Sequence, residues 1–172
     1  MKKLIILMLF LTLSNAIMGQ SKGDIIEIIK VSGVAEVFFT NEDANQEIRR
    51  IVSVPPSLEV IVNFRDGLLE VDTKGEANNE VVQVYVSSRH LRKIVVEDRA
   101  QFHGMNHIES KNLVITLDDF GAADMIVYAD NLDINMNGGD LTISGESNNW
   151  TVSKGNDHER GTLDSENLII KN

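Results

Sequence analysis

Apolar and polar positions alternate with a period of two along most of the chain, as they do in strands with one buried face, and helical spacing is absent. Residues 25–31 are apolar and β-branched apart from Glu27 and Lys30, and after Ser32-Gly33 the alternation resumes in Val34-Ala35-Glu36-Val37-Phe38-Phe39. A strand over 48–54 is stopped by Pro55-Pro56, because proline offers no N–H to a ladder. Residues 58–64 alternate into Arg65-Asp66-Gly67, an Asp-Gly turn that predicts a hairpin returning through 68–71. Residues 74–80 read as a polar loop, and 81–86 as one more strand.

The second half repeats itself. Asn112, Asn131, Asn149 and Asn167 each immediately precede a large apolar residue, Leu113, Leu132, Trp150 and Leu168, with steps of 19, 18 and 18. Between these copies lies a second element, a small residue two positions before a large apolar one: Ala100 and Phe102, Ala123 and Met125, Gly139 and Leu141, Gly161 and Leu163. Each unit of about twenty residues therefore holds two short alternating strands, and because it cannot bury its apolar side alone, stacking of successive units is the physical solution. The expected fold is therefore all-β: a β-solenoid, or β-helix, of stacked coils preceded by a hairpin-containing β section, with Leu113, Leu132, Trp150 and Leu168 in one interior column. Asparagine suits the corners, because it tolerates left-handed backbone angles and can hydrogen-bond to the asparagine of the next unit. No linker-like stretch divides the halves, so residues 20–172 read as one domain.

The first nineteen residues read as an address. Lys2 and Lys3 form a positive head, residues 4–13 are apolar except for Thr12, and Ser14, Asn15, Ala16 and Gly19 give a polar, small-residue end, which predicts a secretory signal cleaved after Gly19 to leave Gln20 first. The apolar run falls short of the roughly 20 residues that span a bilayer, and no membrane span is expected after cleavage. Localisation is then exported: periplasm, outer cell surface or secreted.

Composition narrows the chemistry. The chain has no cysteine, which removes disulfides, thiolate metal sites and a lipid-bearing cysteine. Sixteen basic against 26 acidic side chains give a net charge of −10, and loss of Lys2 and Lys3 with the signal makes it −12, so nucleic acid is repelled and is not an expected partner. His103 and His107 read as solvated loop residues rather than a metal pair, and Ser144 as a turn residue rather than a nucleophile. Glu36, Asp124 and Asp140 each follow a small residue and precede an apolar one. On adjacent coils they would align on the outer face, where calcium would be the natural counter-ion, although acids kept outside by the cost of burial account for the pattern. No catalytic, cofactor-binding or metal residue is assigned. Arg89, Arg92, Lys93 and Arg99 form a basic cluster, as do Arg49 and Arg50; acidic glycans are the ligand class they would suit, although bases scattered on solvent faces are the usual account of such clusters.

Val31-Ser32-Gly33-Val34-Ala35-Glu36, the hairpin end Leu69-Glu70-Val71-Asp72-Thr73-Lys74-Gly75, the strand Val84-Tyr85-Val86 and Gly121-Ala122-Ala123-Asp124 are together similar to the putative auto-transporter adhesin, head GIN domain family, over nearly all of residues 24–172. The resemblance implies an exported bacterial protein, of a kind common in the Bacteroidetes, built from stacked β-coils. The corners depart from the family's Ser-Gly-Ala-Gly-Asp element, reading Asn137-Gly138-Gly139-Asp140 and Arg160-Gly161-Thr162-Leu163-Asp164. The expected function is an adhesin-like binding module of the cell envelope, not an enzyme, with no cofactor and with a glycan or envelope protein as partner. A small carbohydrate-active β-helix enzyme and a structural envelope protein that forms homo-oligomers through its coil ends are the alternatives.

Overall fold

The computed structural model describes residues 25–42, 47–52, 57–75, 81–155, 157–164 and 168–171, the backbone alone for 47–52, 157–164 and 168–171. The signal segment and Asn167 lie outside the described residues. Within them the chain forms twelve strands: β1 (Ile28–Val31), β2 (Ala35–Thr40), β3 (Glu47–Val52), β4 (Leu58–Arg65), β5 (Leu68–Gly75), β6 (Val82–Ser87), β7 (Lys93–Val96), β8 (Gln101–Leu117), β9 (Ala122–Met136), β10 (Asp140–Lys154), β11 (Asp157–Asp164) and β12 (Leu168–Lys171). All twelve belong to one sheet.

The predicted hairpin is present. β4 and β5 pair antiparallel across Asp66 and Gly67, whose φ of 51° and 80° are the left-handed angles that a two-residue turn of this twist requires. β1 lies parallel between β5 and β7, and β2 lies parallel between β6 and β8. Then come three long parallel neighbours, β8, β9 and β10, which place Asn112 opposite Asn131 and Asn131 opposite Asn149, and likewise Leu113 opposite Leu132 and Leu132 opposite Trp150.

The wall these strands make differs from the expected solenoid. Each repeat was expected to hold two short strands; it holds one continuous strand of 15 to 17 residues. β8 pairs with β2 through residues 101–104 and with β7 through 114–117, so a single strand serves two stretches of sheet. Only residues 118–121 join β8 to β9 and 137–139 join β9 to β10, which forces each long strand to curl until its end lies beside the start of the next. The result is an all-β fold with a near-closed seven-stranded barrel, not a β-solenoid or β-helix of repeated stacked coils. The chain also doubles back where coils would continue. β11 and β12 both pair antiparallel with β10, and Leu168 stands opposite Ile143 instead of joining the Leu113, Leu132 and Trp150 row. β3 likewise runs antiparallel to β6.

One apolar cluster fills the interior and draws on both halves of the chain: Ile29, Val37, Phe39, Leu69, Phe102, Ile108, Leu113, Leu132 and Ile134 are at most 1% exposed. Each such side chain contributes about 1.5–3 kcal/mol when fully buried. The second sequence element is also corrected. Phe102 stands opposite Ala123, and Ala123 opposite Leu141, so Met125 belongs to the next row. Met125 stands opposite Ile143 instead, in a β9–β10 pair of constant register. The β8–β9 pair is interrupted by a bulge: between the pairs His103 with Asp124 and His107 with Ile126, β8 carries two more residues than β9. The spacing between the two strands therefore changes from 21 residues to 19 within one strand.

Candidate functional site

With the inner face committed to the core, ligand chemistry must come from the outer face, where side chains form rows across the strands. The first row is aromatic. Phe38 stacks between Tyr85 and His103 with ring centroids 5.0 Å from each, and His103 Nδ1 lies 2.5 Å from the Asp124 carboxylate. Every ring there is covered by another, so this row stiffens the wall rather than offering a free surface.

Beyond the bulge the character changes. His107 stands opposite Ile126, and Glu109 opposite Tyr128, which in turn stands opposite Glu146. Met105, Ile126 and Tyr128 are 58%, 43% and 44% exposed, and both glutamates are exposed. The His107 ring meets Tyr128 edge-on at 5.7 Å, while its Nε2 lies 3.0 Å from Glu109 Oε1. Tyr128 is thus held from one side and flanked by two carboxylates on neighbouring strands. Such a group can lay an aromatic face against C–H bonds and accept hydrogen bonds from hydroxyls, the two things a saccharide presents.

The opposite end of the long strands carries polar ladders. Asn131 Nδ2 donates to Asn112 Oδ1 at 2.7 Å, and Asn149 Nδ2 donates to Asn131 Oδ1 at 3.2 Å. Asn137 donates to Asp118, Asn148 to Asp130, and Thr151 to Asp133. Among the described residues the non-glycine left-handed positions are Asp66, Asp98 and Asp119, so the repeated asparagines serve by ladder bonding and not by unusual backbone angles.

Where residues 109–114 of β8 face Ile28 and residues 89–93 lies an open cleft of about 550 Å³. Arg89, Arg92 and Lys93 line it from the segment leading into β7, and Lys111 from β8. Arg92 is paired with Glu27 at 2.7 Å. Arg99 does not line it, and the side chains of Arg49 and Arg50 fall outside the described residues. The cationic group read along the sequence is therefore partly assembled here, with Lys111 as a member that linear order hid.

Other expected candidates are dispersed. Glu36 and Asp140 share a row but are separated by Gln101 and Ala122, three strand spacings or about 14 Å, whereas Asp124 sits two residues over, opposite His103. The three carboxylates do not converge, Glu36 accepts from Gln83 Nε2 at 3.1 Å, and no group of three metal-ligating side chains gathers among the described residues. The constant register of β9 with β10 is the cause: it sets Asp140 opposite Ala122 and Asp124 opposite Thr142. His103 and His107 lie on β8 rather than in a loop, and Ser144 lies within β10 rather than at a turn. Trp150 is half-buried against the core. Elsewhere, a hydrogen bond from Lys30 Nζ to Glu97 at 2.9 Å holds the lysine pKa above its ordinary 10.5.

The family description "Putative auto-transporter adhesin, head GIN domain" matches residues 27–172. The chain belongs to this family. Two solved structures of this fold are similar to it. One, described as a putative adhesin from Parabacteroides merdae, is 20% identical with a TM-score of 0.53, the match covering 66% of this chain and 49% of that one. The other, described as a putative adhesin from Bacteroides fragilis, is 16% identical with a TM-score of 0.50, covering 74% of this chain and 58% of that one. The chain thus spans about half the length of the solved structures it matches. No curated protein matches it. As a head GIN domain the protein is an adhesin-like module with an exported, extracellular or surface location. No helix among the described residues is long and apolar enough to cross a membrane.

Proposed function

We propose that this head GIN domain binds a glycan at the cell exterior through the outer face of β8, β9 and β10, without turning it over. One observation carries the reading: Tyr128, 44% exposed, lies between Glu109 and Glu146 on a single outward row. An exposed ring buttressed by His107 costs little ordering to bind, and the carboxylates stand on strands rather than on loops, so the constellation is pre-organised. Ile126 and Met105 extend the apolar part of the same face. An open sheet face does not enclose a substrate or exclude water, which suits retention better than cleavage. The descriptions of the two solved relatives as adhesins agree with this reading.

Export begins, on this proposal, with cleavage after Gly19 and leaves residues 20–172 as one domain. N-terminal sequencing of the exported protein should then begin at Gln20. The binding test is titration of the exported chain with neutral oligosaccharides, with reducing ends assayed in parallel. Saturable binding, no sugar release, and at least a tenfold loss in Tyr128→Ala support the proposal. Release of reducing ends, or binding indifferent to Tyr128, overturns it.

A further inference from the structure

The cleft beside Tyr128 is at odds with the protein's overall charge. A chain of net charge −10 gathers Arg89, Arg92, Lys93 and Lys111 around one concavity whose lining contains a single acid, Glu109. Lys111 is exposed and Lys93 half-buried, and neither has an ion-pair partner among the described residues, whereas Arg92 is held by Glu27. The floor is apolar, with Ile28 and Val114, and Ser110 and Asn112 add polar groups to the rim.

We infer that this cleft recognises a carboxylate carried by the saccharide that rests on Tyr128, so that the ligand is an acidic sugar with one charge at or near its end. The inference rests on the glycan reading of the Tyr128 row and extends it. Glu109 belongs to both places: it faces Tyr128 across the β8–β9 pair and lines the cleft. Lys111 follows two residues later, about 7 Å along the strand, which is one sugar ring away. A cavity of about 550 Å³ accommodates a ligand of two or three rings. Charge decides between one anionic group and many. Within a Debye length of about 8 Å the local cations dominate, but a polyanion running beyond the cleft meets the acidic remainder of the surface. A singly charged oligosaccharide therefore fits where heparin-like polymers and nucleic acid do not.

The test is calorimetric titration of the full exported chain with sialyllactose, lactose and acetate at low and 0.5 M salt. Sialyllactose is expected to bind at least tenfold more tightly than lactose, and 0.5 M salt should remove most of that difference. Lys111→Gln and Lys93→Gln should each lower sialyllactose affinity about fivefold to tenfold and leave lactose unchanged. Lys111 is exposed, so Lys111→Glu can be used without risk to folding, and it should reverse the preference. Equal affinity for the acidic and neutral sugars overturns the inference while sparing the glycan proposal; binding of no sugar overturns both. Acetate that binds as well as sialyllactose also overturns it, because the cleft would then be a general anion site. Tyr128→Ala separates the two sites: it should weaken lactose and sialyllactose alike.

Discussion

The asparagine ladder lets a sequence repeat be tested as a structural device. Asn131 is its middle member, donating to Asn112 and accepting from Asn149, whereas each outer asparagine takes part in one bond of the ladder. A net side-chain hydrogen bond contributes about 0.5–1.5 kcal/mol, and these are exposed or half-buried, so about 0.7 kcal/mol each is a fair value. Asn131→Ala should then cost about 1.5 kcal/mol, and Asn112→Ala or Asn149→Ala about half that. For a domain of this size the first corresponds to a drop in Tm of roughly 3–6 °C. The outer residues share no direct bond, so the Asn112→Ala and Asn149→Ala double variant should match Asn131→Ala. Adding Asn131→Ala to the double variant should cost almost nothing, because its partners are already gone. Urea unfolding followed by far-UV circular dichroism measures all of these on one scale. Three equal, additive effects would show that the asparagines act through their own backbone preferences, and the ladder account would fail.

Other perturbations probe other parts of the wall. Gly145, at φ 116°, has no room for a side chain: a Cβ would fall 2.0 Å from Val127 O on the neighbouring strand, so Gly145→Ala should lose about 3 kcal/mol, seen as a fall of roughly 9 °C in Tm. Phe102 is fully buried and stacks on Phe39 at 5.8 Å, and Phe102→Ala should cost about 3–5 kcal/mol in urea unfolding. Because Glu97 raises the Lys30 pKa, that pair's stabilisation is present below pH 10.5 and fades as pH rises through the higher folded-state value. Thermal melts of Lys30→Met should therefore approach those of wild type as pH rises into strong alkali.

Some of this was legible in the sequence, and for identifiable reasons. The Asp66-Gly67 turn was readable because its chemistry is local, and the asparagine positions because identical residues recur at nearly fixed steps. Alternation marked the strands but could not say how far they curl, since a strand read as two short segments and one bent strand of 15 residues have the same period. The closure of the wall and the antiparallel return of β11 and β12 are long-range pairings with no local signature. Leu168 shows the limit well. It carries the same Asn-Leu signature as Leu113 and Leu132, yet its backbone pairs with Ile143 in the opposite direction.

The candidate site was hidden for a related reason, because register decides which acids meet. Read from their local motif, Glu36, Asp124 and Asp140 would have lined up into one anionic column. β9 and β10 instead pair at a constant offset of 18 residues, which keeps Asp124 and Asp140 in different rows and sets Glu109 and Glu146 on either side of Tyr128. The two glutamates are thereby separated by a strand instead of crowding at about 4.8 Å, where like charges repel. The bulge in β8 acts on the neighbouring row, where its two extra residues set Asp124 against His103. Removing the insertion by deleting two residues between His103 and His107 should therefore give a regular frame and preserve strand content. It should also preserve saccharide binding, because Glu109 and Tyr128 pair beyond the bulge at a constant spacing; loss of binding in that variant would show that the site depends on the irregularity and not on the row.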